Sequence, residues 1–339
     1  MRVAVIAYTG DGVDNRAVSA GFAVEVAIVQ RGATVENITC KTSAMTGNNS
    51  HQYLTGIVTD GIKTLTSDGI TLGTNTSVNA NTVAYRLIVF GADSNLGVGT
   101  YTGNGVDDRT LTHNATTGNA VALTLIMRDQ GVSSDWTLRY GFQGDNSRTM
   151  WGTGLAAANR IQAATVGSTF TVGTDASVNA VAGDTYYWVH INTVTNNIYS
   201  TSYTGDGADN RNIVAADPFT PIWVQVTHMG SAGLRGCHNT EGTDSTFTPQ
   251  TASGTADLIQ AFNSDGFQVG TSTQVNGAGA ADNTYGYVIM KDFGAPAAAL
   301  LGDTGFGGFT LPDPFRDTPY ALFKTMLDVY KRYRSVRIQ

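Results

Sequence analysis

The chain has 339 residues, a length typical of two or three domains, and glycine fills 40 of its positions. Charged residues make up 14% of the chain; threonine occurs 47 times, whereas lysine occurs five times and glutamate three times. This composition disfavours helical bundles, coiled coils and Rossmann-type enzymes, because exposed helix faces need glutamate and lysine. It favours an all-β protein whose strands are joined by glycine, asparagine and aspartate turns.

The net charge and the hydropathy pattern argue against nucleic acid and membranes as partners. A net charge of −7 and a sequence pI near 5.1 argue against a nucleic-acid-binding surface over most of the chain. No apolar run approaches the ~18 residues of a membrane helix, and the first eight residues are too short and wrongly flanked for a signal peptide. Two cysteines, Cys40 and Cys237, make no disulfide framework, and we predict that they lie buried on equivalent strands. A disulfide between domains stays open as the alternative. We expect a protein made in a cytoplasm, with neither nucleic acid nor membrane among its partners.

An internal repeat is the strongest pattern along the chain. A tyrosine-led turn reads YTGDGVDNR at 8–16, YTGNGVDDR at 101–109 and YTGDGADNR at 203–211. A second shared segment, from Gly-Thr to Val-Asn, occurs at 73–79, 173–179 and 270–276, and a tyrosine-bearing strand follows it each time. The turns are 93 and 102 residues apart, which is the size of a complete small domain.

The repeat predicts three tandem copies, at 1–94 (copy 1), 95–197 (copy 2) and 198–293 (copy 3). Each copy has the order strand, glycine-rich turn, long apolar strand, polar strand, irregular polar loop, amphipathic strand and closing strand. Short strands separated by turns at this spacing predict antiparallel β-sandwich (jelly-roll-like) domains.

The last 46 residues differ in kind. A glycine- and alanine-rich stretch at 294–317 predicts a linker or extended arm, and Thr318 with Pro319 forms a helix start for a short amphipathic helix at 318–339. The helix carries a net charge of +4, which leaves −11 on the rest of the chain. Two interpretations stay open: the helix docks on an acidic partner or another copy of the protein, or it packs on its own third domain. The predicted contact residues of this arm are Leu322, Phe323, Met326, Leu327, Tyr330, Lys331, Arg332, Arg334 and Arg337.

The repeated turn supplies the candidate site residues. They are Asp11, Asp14, Arg16, Asn104, Asp107, Arg109, Asp206, Asp209 and Arg211. Carboxylate and amide oxygens at this density suit Ca²⁺, although the spacing differs from an EF-hand loop and no bidentate glutamate follows. The alternative is a structural turn whose aspartates accept hydrogen bonds from backbone amides while the arginine pairs locally. We favour the structural turn and expect no cofactor.

Catalytic patterns do not emerge from the sequence. The five histidines do not recur at equivalent repeat positions, and no zinc-protease, nucleophile-elbow or Walker A motif occurs. Sandwich glycosidases need paired carboxylates on one strand face, and Glu25, Glu36 and Glu241 cannot build such a motif. We therefore predict a non-enzymatic protein. Among the tryptophans, Trp151 lies in a polar loop and is the candidate for an exposed contact.

The same residues carry a family resemblance. The Tyr-Thr-Gly-x-Gly-x-Asp-x-Arg turn, a Ser-Asp-Gly segment at 67–69 and 264–266, and the closing Thr-x-Tyr strand resemble a repeat module of tailed-bacteriophage virion structural proteins. Such modules are concanavalin A-like or laminin-G-like sandwiches. The resemblance covers roughly residues 1–293, and copy 2 departs from it at 166–170, where Ser-Asp-Gly is missing.

The resemblance implies a structural component of a virion, assembled in the host cytoplasm. A capsid decoration or cement protein and a tail or fibre component both fit, with other virion proteins and copies of the chain itself as partners. The alternative is a carbohydrate-binding host-recognition adhesin, which predicts exposed aromatic, aspartate and asparagine side chains at loop tips and binds a glycan.

Overall fold

The computed structural model describes residues 1–32, 38–129, 136–150, 157–164, 167–180, 182–230, 236–248, 252–278 and 283–292. Within these ranges the chain is all-β, as the composition predicts, with 26 strands and one four-residue helix. No helix in these ranges is both long and apolar enough to cross a membrane. The predicted arm (294–317), the predicted helix (318–339) with its contact residues, and Trp151 lie outside the described residues.

The strands follow the repeat. Copy 1 contains β1 (Val3–Thr9), β2 (Arg16–Ser19), β3 (Val24–Arg31), β4 (Thr39–Thr42), β5 (Asn49–Gln52), β6 (Gly56–Thr59), β7 (Ile62–Leu65), β8 (Gly69–Leu72), α1 (Thr76–Asn79) and β9 (Ala84–Gly91). Copy 2 contains β10 (Leu96–Thr102), β11 (Arg109–Thr112), β12 (Val121–Arg128), β13 (Trp136–Tyr140), β14 (Arg148–Thr149), β15 (Ile161–Ala164), β16 (Thr169–Val172) and β17 (Thr185–Asn192). Copy 3 contains β18 (Ile198–Thr204), β19 (Arg211–Val214), β20 (Trp223–His228), β21 (Cys237–Asn239), β22 (Thr246–Thr248), β23 (Ala252–Thr255), β24 (Ile259–Asn263), β25 (Gly266–Val269) and β26 (Thr284–Met290).

Each copy builds one large and one small antiparallel sheet. In copy 1 the large sheet has the order β1-β9-β3-β4-β5-β6 and the small sheet β2-β8-β7. The orders in copy 2 are β10-β17-β12-β13-β14 and β11-β16-β15, and those in copy 3 are β18-β26-β20-β21-β22-β23 and β19-β25-β24. The first strand of every copy pairs with its last strand along its whole length, as Val3 opposite Phe90 shows for β1 and β9. The three copies therefore share one strand order, although the large sheet of copy 2 has five strands in the described residues and the other two have six.

The two sheets of a copy contribute side chains to one hydrophobic core. In copy 1, Ile70 and Leu72 of the small sheet meet Val29, Leu87 and Val89 of the large sheet, and all five are buried. Separate clusters occupy the same place in copy 2 and copy 3. Because neighbouring side chains of a strand point to opposite faces, this core uses only half of each large strand. The arrangement within a copy is sandwich-like.

The opposite faces of the three large sheets meet in one shared core. This central core draws Val26, Ile28 and Phe90 from copy 1 together with Leu125 from copy 2 and Met290 from copy 3. The central strands of each large sheet are thus buried on both faces, which explains the nearly unbroken apolar run VALTLIMR of β12. In antiparallel sheets with one face exposed to solvent, apolar and polar residues alternate along each strand instead. Full burial of each such side chain contributes roughly 1.5–3 kcal/mol.

Polar contacts connect the copies in a cycle around this core. A side chain of each copy contacts the end of the long apolar strand in the next copy, and copy 3 contacts copy 1 in the same way. Residues Met1–Gly294 accordingly form one compact unit. The three contacts are the His51 imidazole with the Arg128 carbonyl (2.6 Å), the Arg148 guanidinium with the His228 carbonyl, and the His238 imidazole with the Gln30 side-chain oxygen (2.5 Å).

Both cysteines are free and buried, but they face different cores. Cys40 lies in the central core, and Cys237 lies in the core of copy 3. The strand register explains the difference. Cys40 pairs with Ile28 of β3, and the corresponding pair in copy 3 is His238 with Gln225 of β20, so Cys237 lies one residue earlier. The cysteines therefore lie on equivalent strands, as predicted, but one residue out of step.

A substitution at Gly236 tests the close contact between copy 3 and copy 2. A Cβ atom at this position would lie 2.1 Å from the carbonyl oxygen of Met150, far inside contact distance. We expect Gly236→Ala to destabilise the protein by about 1–3 kcal/mol, because the interface between the copies must then open or shift. The measurement is thermal unfolding followed by circular dichroism. Gly144→Ala is the control, since its Cβ would meet no atom within 4 Å; equal shifts in both variants would contradict the interface.

Candidate functional site

The repeated turn and the Val-Asn segment meet at one buried asparagine in each copy. In copy 1, the Asn79 Oδ1 atom accepts from the Asp11 backbone amide (3.1 Å) and from the Arg16 guanidinium (3.2 Å). Its Nδ2 atom donates to the carbonyls of Val13 (2.9 Å) and Gly73 (3.0 Å). Both donors and both acceptor sites of the amide are therefore used. The same turn contacts are made by Asn179 in copy 2 and Asn276 in copy 3.

The backbone of the turn explains its glycine and asparagine residues. Gly12 has φ +69° and Asn15 has φ +59°, both in the left-handed region that glycine and asparagine tolerate best. The matching residues of the other copies, Gly105, Asp108, Gly207 and Asn210, share this conformation. Gly10 is required for another reason, because a Cβ there would lie 2.0 Å from the Ala80 carbonyl oxygen.

Arg16 and Asp11 complete the turn in copy 1. The Arg16 guanidinium lies over the Tyr8 ring at 5.2 Å, donates to the Thr9 carbonyl, and lies 3.5 Å from the Asp11 carboxylate. Asp11 accepts from the Val13 backbone amide at 2.8 Å, and this bond holds the pKa of the Asp11 carboxyl below its usual value. In copy 3, Asp206 and Arg211 repeat the ion pair at 3.3 Å.

Copy 2 keeps the geometry of this turn with a neutral side chain. Asn104 takes the place of Asp11, and its Oδ1 atom accepts from the Val106 amide at 3.0 Å. Arg109 still donates to the Thr102 carbonyl at 2.5 Å and lies over the Tyr101 ring at 5.2 Å. The turn therefore holds its conformation through backbone contacts, and the ion pair is an addition in copies 1 and 3.

The aspartate two residues after the second glycine of each turn contacts the neighbouring small sheet. Asp14 binds the Lys63 ammonium at 2.8 Å. Asp107 and Asp209 accept from the side-chain amides of Gln162 and Gln260, each at 3.0 Å. The nine predicted site residues are thus brought together within each copy, three at a time, and every aspartate among them contacts groups of its own copy.

A stacked pair of tyrosines supports the turn from the large sheet. The rings of Tyr8 and Tyr85 lie 5.1 Å apart and nearly parallel, and the Tyr8 hydroxyl donates to the Val78 carbonyl at 2.6 Å. The Tyr85 hydroxyl donates to the Thr76 carbonyl at 2.7 Å. Equivalent stacked pairs occur in the other copies, formed by Tyr101 with Tyr186 and Tyr203 with Tyr285. Sequence reasoning assigned no role to these tyrosines or to Asn79, although their threefold recurrence was the signal.

The turn offers little to a cation. Within the described ranges, no group of three or more histidine, cysteine, aspartate or glutamate residues could hold a metal ion. The Asp11 carboxylate already accepts a backbone amide and faces a guanidinium, so its oxygens are engaged. We expect addition of Ca²⁺ or of EDTA to leave the melting temperature unchanged, whereas a bound cation would make it rise with Ca²⁺ concentration. Differential scanning calorimetry distinguishes the two outcomes.

The histidines are buried among apolar groups and hydrogen-bond partners. His51 contacts the Arg128 carbonyl through Nε2 and accepts from the Trp136 indole at Nδ1 (2.9 Å), which fixes its neutral tautomer. Burial lowers the pKa of His51 to about 4 and that of His238 to about 3. In copy 2, His113 and His190 stack with centroids 3.9 Å apart, and burial lowers the pKa of His190 to about 3. These side chains connect elements of the fold.

A groove lies where copy 3 meets copy 1. One cavity of about 260 Å³ and a neighbouring one of about 580 Å³ share Arg86, Thr240 and Glu241 as walls. Arg86 of copy 1 and Glu241 of copy 3 form an ion pair across the contact. We call these two cavities together the seam groove; the smaller one is also lined by Gln30, His238, Ser245 and Phe247.

Comparison with known proteins assigns no family to the chain. No family model matches the sequence. No curated protein matches it either. The relation to phage repeat modules therefore stays a prediction from the sequence.

Proposed function

We propose that the chain is a non-enzymatic structural protein of a bacteriophage virion, built from three tandem β-sandwich domains. In this role it serves as a capsid decoration or cement protein, or as a tail or fibre component. It assembles in the host cytoplasm with other virion proteins and with copies of itself.

The observation that carries this proposal is the shared central core. Three copies with one strand order close into a cycle, and the central strands of each large sheet are buried on both faces. A single chain thus presents three similar outer surfaces, as a symmetric trimer does. Such a unit suits a shell or tube in which one protein meets several related neighbours. The composition supports the same role, because a chain with only 14% charged residues favours extensive contacts over free solubility.

The contacts made by the polar atoms of the turns support a structural role for these residues. Each repeated turn uses its polar atoms to hold backbone amides and an arginine, as described for Asp11 and Arg16. The buried imidazoles His51 and His238 are likewise committed to contacts between copies. The recurrence of the turn in all three copies therefore agrees with a shared structural role.

Particle association tests the proposed function. Antibodies against the chain are applied to phage particles purified on a density gradient from cultures of the source organism. We expect the protein in the particle fraction at many copies per particle, while an abundant cytoplasmic host protein stays in the soluble fraction. Detection of the chain only in the soluble fraction would overturn the proposal.

Self-assembly through the C-terminal arm is a separate expectation. Light scattering on size-exclusion fractions of the full chain should show oligomers. A full-length variant with Lys331, Arg332, Arg334 and Arg337 changed to glutamate should be a folded monomer, because the attraction of the basic arm for an acidic body is reversed. If both proteins are monodisperse monomers, self-assembly by the arm is wrong and the arm serves a different virion protein.

A further inference from the structure

The first strand of every copy forms an open edge of its large sheet. Within the described residues, β1, β10 and β18 each pair with one strand only, the last strand of the same copy. Each is seven residues long, and its pairing register runs without a bulge. None of the three contains a charged residue or a proline. Lysine, proline and bulges are the devices that keep an edge strand from pairing with another chain, so these edges lack the usual protection.

The hydrogen bonds of β1 show which of its backbone groups are free. The Gly91 amide donates to the Arg2 carbonyl at 3.0 Å, just before β1 begins. Since bonded and non-bonded pairs alternate along an antiparallel ladder, the even-numbered residues of β1 face β9. Val5 and Ala7 therefore direct their amides and carbonyls away from the sheet, and no residue that the structure describes bonds to these groups. Val5 is half-buried and Ala7 is exposed, so an added strand can reach both.

The seam groove opens beside these free groups. Its larger cavity, of about 580 Å³, is lined by Val5 and Ala7 of copy 1 and by Pro221 and Ile222 of copy 3. An equivalent cavity of about 750 Å³ lies between copies 2 and 3 and is lined by the first three residues of β18. Ser202, which matches Ala7 in the repeat, is not among its described walls. The edge of β1 is therefore the one whose exposed half opens into a groove.

The chain itself contains a segment that suits this edge. The described residues end at Asp292, and Asp292 lines the same cavity as Ala7. The predicted extended arm (294–317) follows, and its first nine residues, 294–302, are all glycine, alanine, proline or leucine. Such uncharged and mostly small side chains suit a narrow place beside an uncharged strand. An extended chain of this length reaches about 80 Å, well beyond the seven residues of β1, so the arm of one molecule can pair with another.

We propose that the arm (294–317) of a second copy adds to the open edge of β1 as a further strand. Alternate residues of the arm bond to the backbone of Val5 and Ala7 and to the amide of Thr9. The added strand ends there, because the Thr9 carbonyl already accepts from Arg16. Since each arm follows Asp292 in the wall of this groove, two molecules with facing grooves exchange arms around a two-fold axis. The inference rests on the proposed self-assembly and names the surface that receives the arm.

Hydrogen–deuterium exchange on the full chain tests the strand addition. Fragments that cover β1 are analysed by mass spectrometry at two protein concentrations, one at which light scattering shows oligomers and one at which it shows monomers. We expect the amides of Val5, Ala7 and Thr9 to exchange at least about tenfold more slowly in the oligomer, because hydrogen bonds protect amides from exchange. Equal exchange at the two concentrations would overturn the proposal.

A proline on the open edge identifies the receiving strand. Ala7→Pro removes a free amide and none that pairs with β9, so its melting curve should match that of the unaltered chain. Its dissociation constant for self-association, measured by light scattering, should rise at least about tenfold. Ser202→Pro is the matched control, because it makes the same backbone change at the same place in β18 and should stay within about twofold. Equal weakening in both variants, or none in Ala7→Pro, would overturn the assignment to β1.

A variant in the arm covers the case in which Ala7→Pro fails to fold. Ala298→Pro combined with Ala299→Pro changes two neighbouring residues, one of which must face β1 because alternate residues of a strand face the same side. Self-association should weaken as much as in Ala7→Pro, and unaltered assembly would overturn the proposal. If the unaltered chain is itself a monomer, the proposed self-assembly is wrong as well. Assembly that tolerates all three proline variants leaves self-assembly intact and rejects only the edge of β1.

Discussion

Replacing Asn79 with alanine is expected to lower the free energy of unfolding by about 3 kcal/mol. The side chain is fully buried and holds four groups at once: two donors, of Asp11 and Arg16, and two carbonyl oxygens, of Val13 and Gly73. Without the amide, several of these groups stay desolvated and unsatisfied, which costs more than the lost bonds alone. Equilibrium unfolding in urea measures the change.

An exposed asparagine two residues further on provides the control. Asn81 is exposed on the same loop, so Asn81→Ala should change stability by less than about 0.5 kcal/mol. Asn276→Ala should repeat the large effect, because Asn276 is equally buried and makes the same turn contacts in copy 3. Equal small losses in all three variants would show that the buried amide does not stabilise the turn.

Lowering the pH from 7 to 5 is expected to destabilise the protein strongly. The pKa values of His51, His190 and His238 lie at about 4, 3 and 3, below the ordinary value of 6.5, because burial disfavours the charged imidazole. The unfolded chain therefore binds more protons below pH 6.5, and stability is lost as the pH falls through that value. Each histidine contributes about 2 kcal/mol of loss at pH 5, or roughly 6 kcal/mol for three independent groups.

The variant His51→Gln measures the contribution of one histidine to this pH-dependent loss of stability. The variant lacks a titrating group between copy 1 and copy 2, so its loss of stability between pH 7 and pH 5 should be about 2 kcal/mol smaller than that of the unaltered chain. Urea unfolding at several pH values measures both slopes. Asn81→Ala should retain the full pH dependence, and an unchanged slope in His51→Gln would contradict the assignment of His51 as a neutral, buried contact.

The sequence predicts those parts of the fold that repeat along the chain. Composition indicates all-β structure, and the recurring turn marks the first strand of every copy, as β1, β10 and β18 show. The sequence did not predict the short strand after each turn, such as β2, or the helix α1. It also predicted an irregular polar loop where β5 and β6 form. Elements of four residues leave no clear period in the sequence. The order of the longer strands agrees with the prediction.

The contacts between copies could not be predicted in the same way. Burial on the second face of β12 depends on residues such as Phe90 and Met290, which are distant in sequence. The run VALTLIMR was a usable signal, since unbroken apolar strands indicate two covered faces. The core that each cysteine faces had no comparable signal in the sequence. Cys237 is shifted by one residue relative to Cys40, and a shift of one residue in a strand moves a side chain to the opposite face of the sheet.

Closure between copy 3 and copy 1 sets the order of events during synthesis on the ribosome. Gln30 and His238 are separated by 208 residues, so their contact cannot form until most of the chain has been made. Until then, the face of copy 1 that carries Val26, Ile28 and Phe90 is exposed to water. Long-range closure is slow, and exposed apolar strands invite aggregation. The nascent chain is thus most vulnerable when copies 1 and 2 have emerged and the third has not, which is the interval in which a chaperone would act.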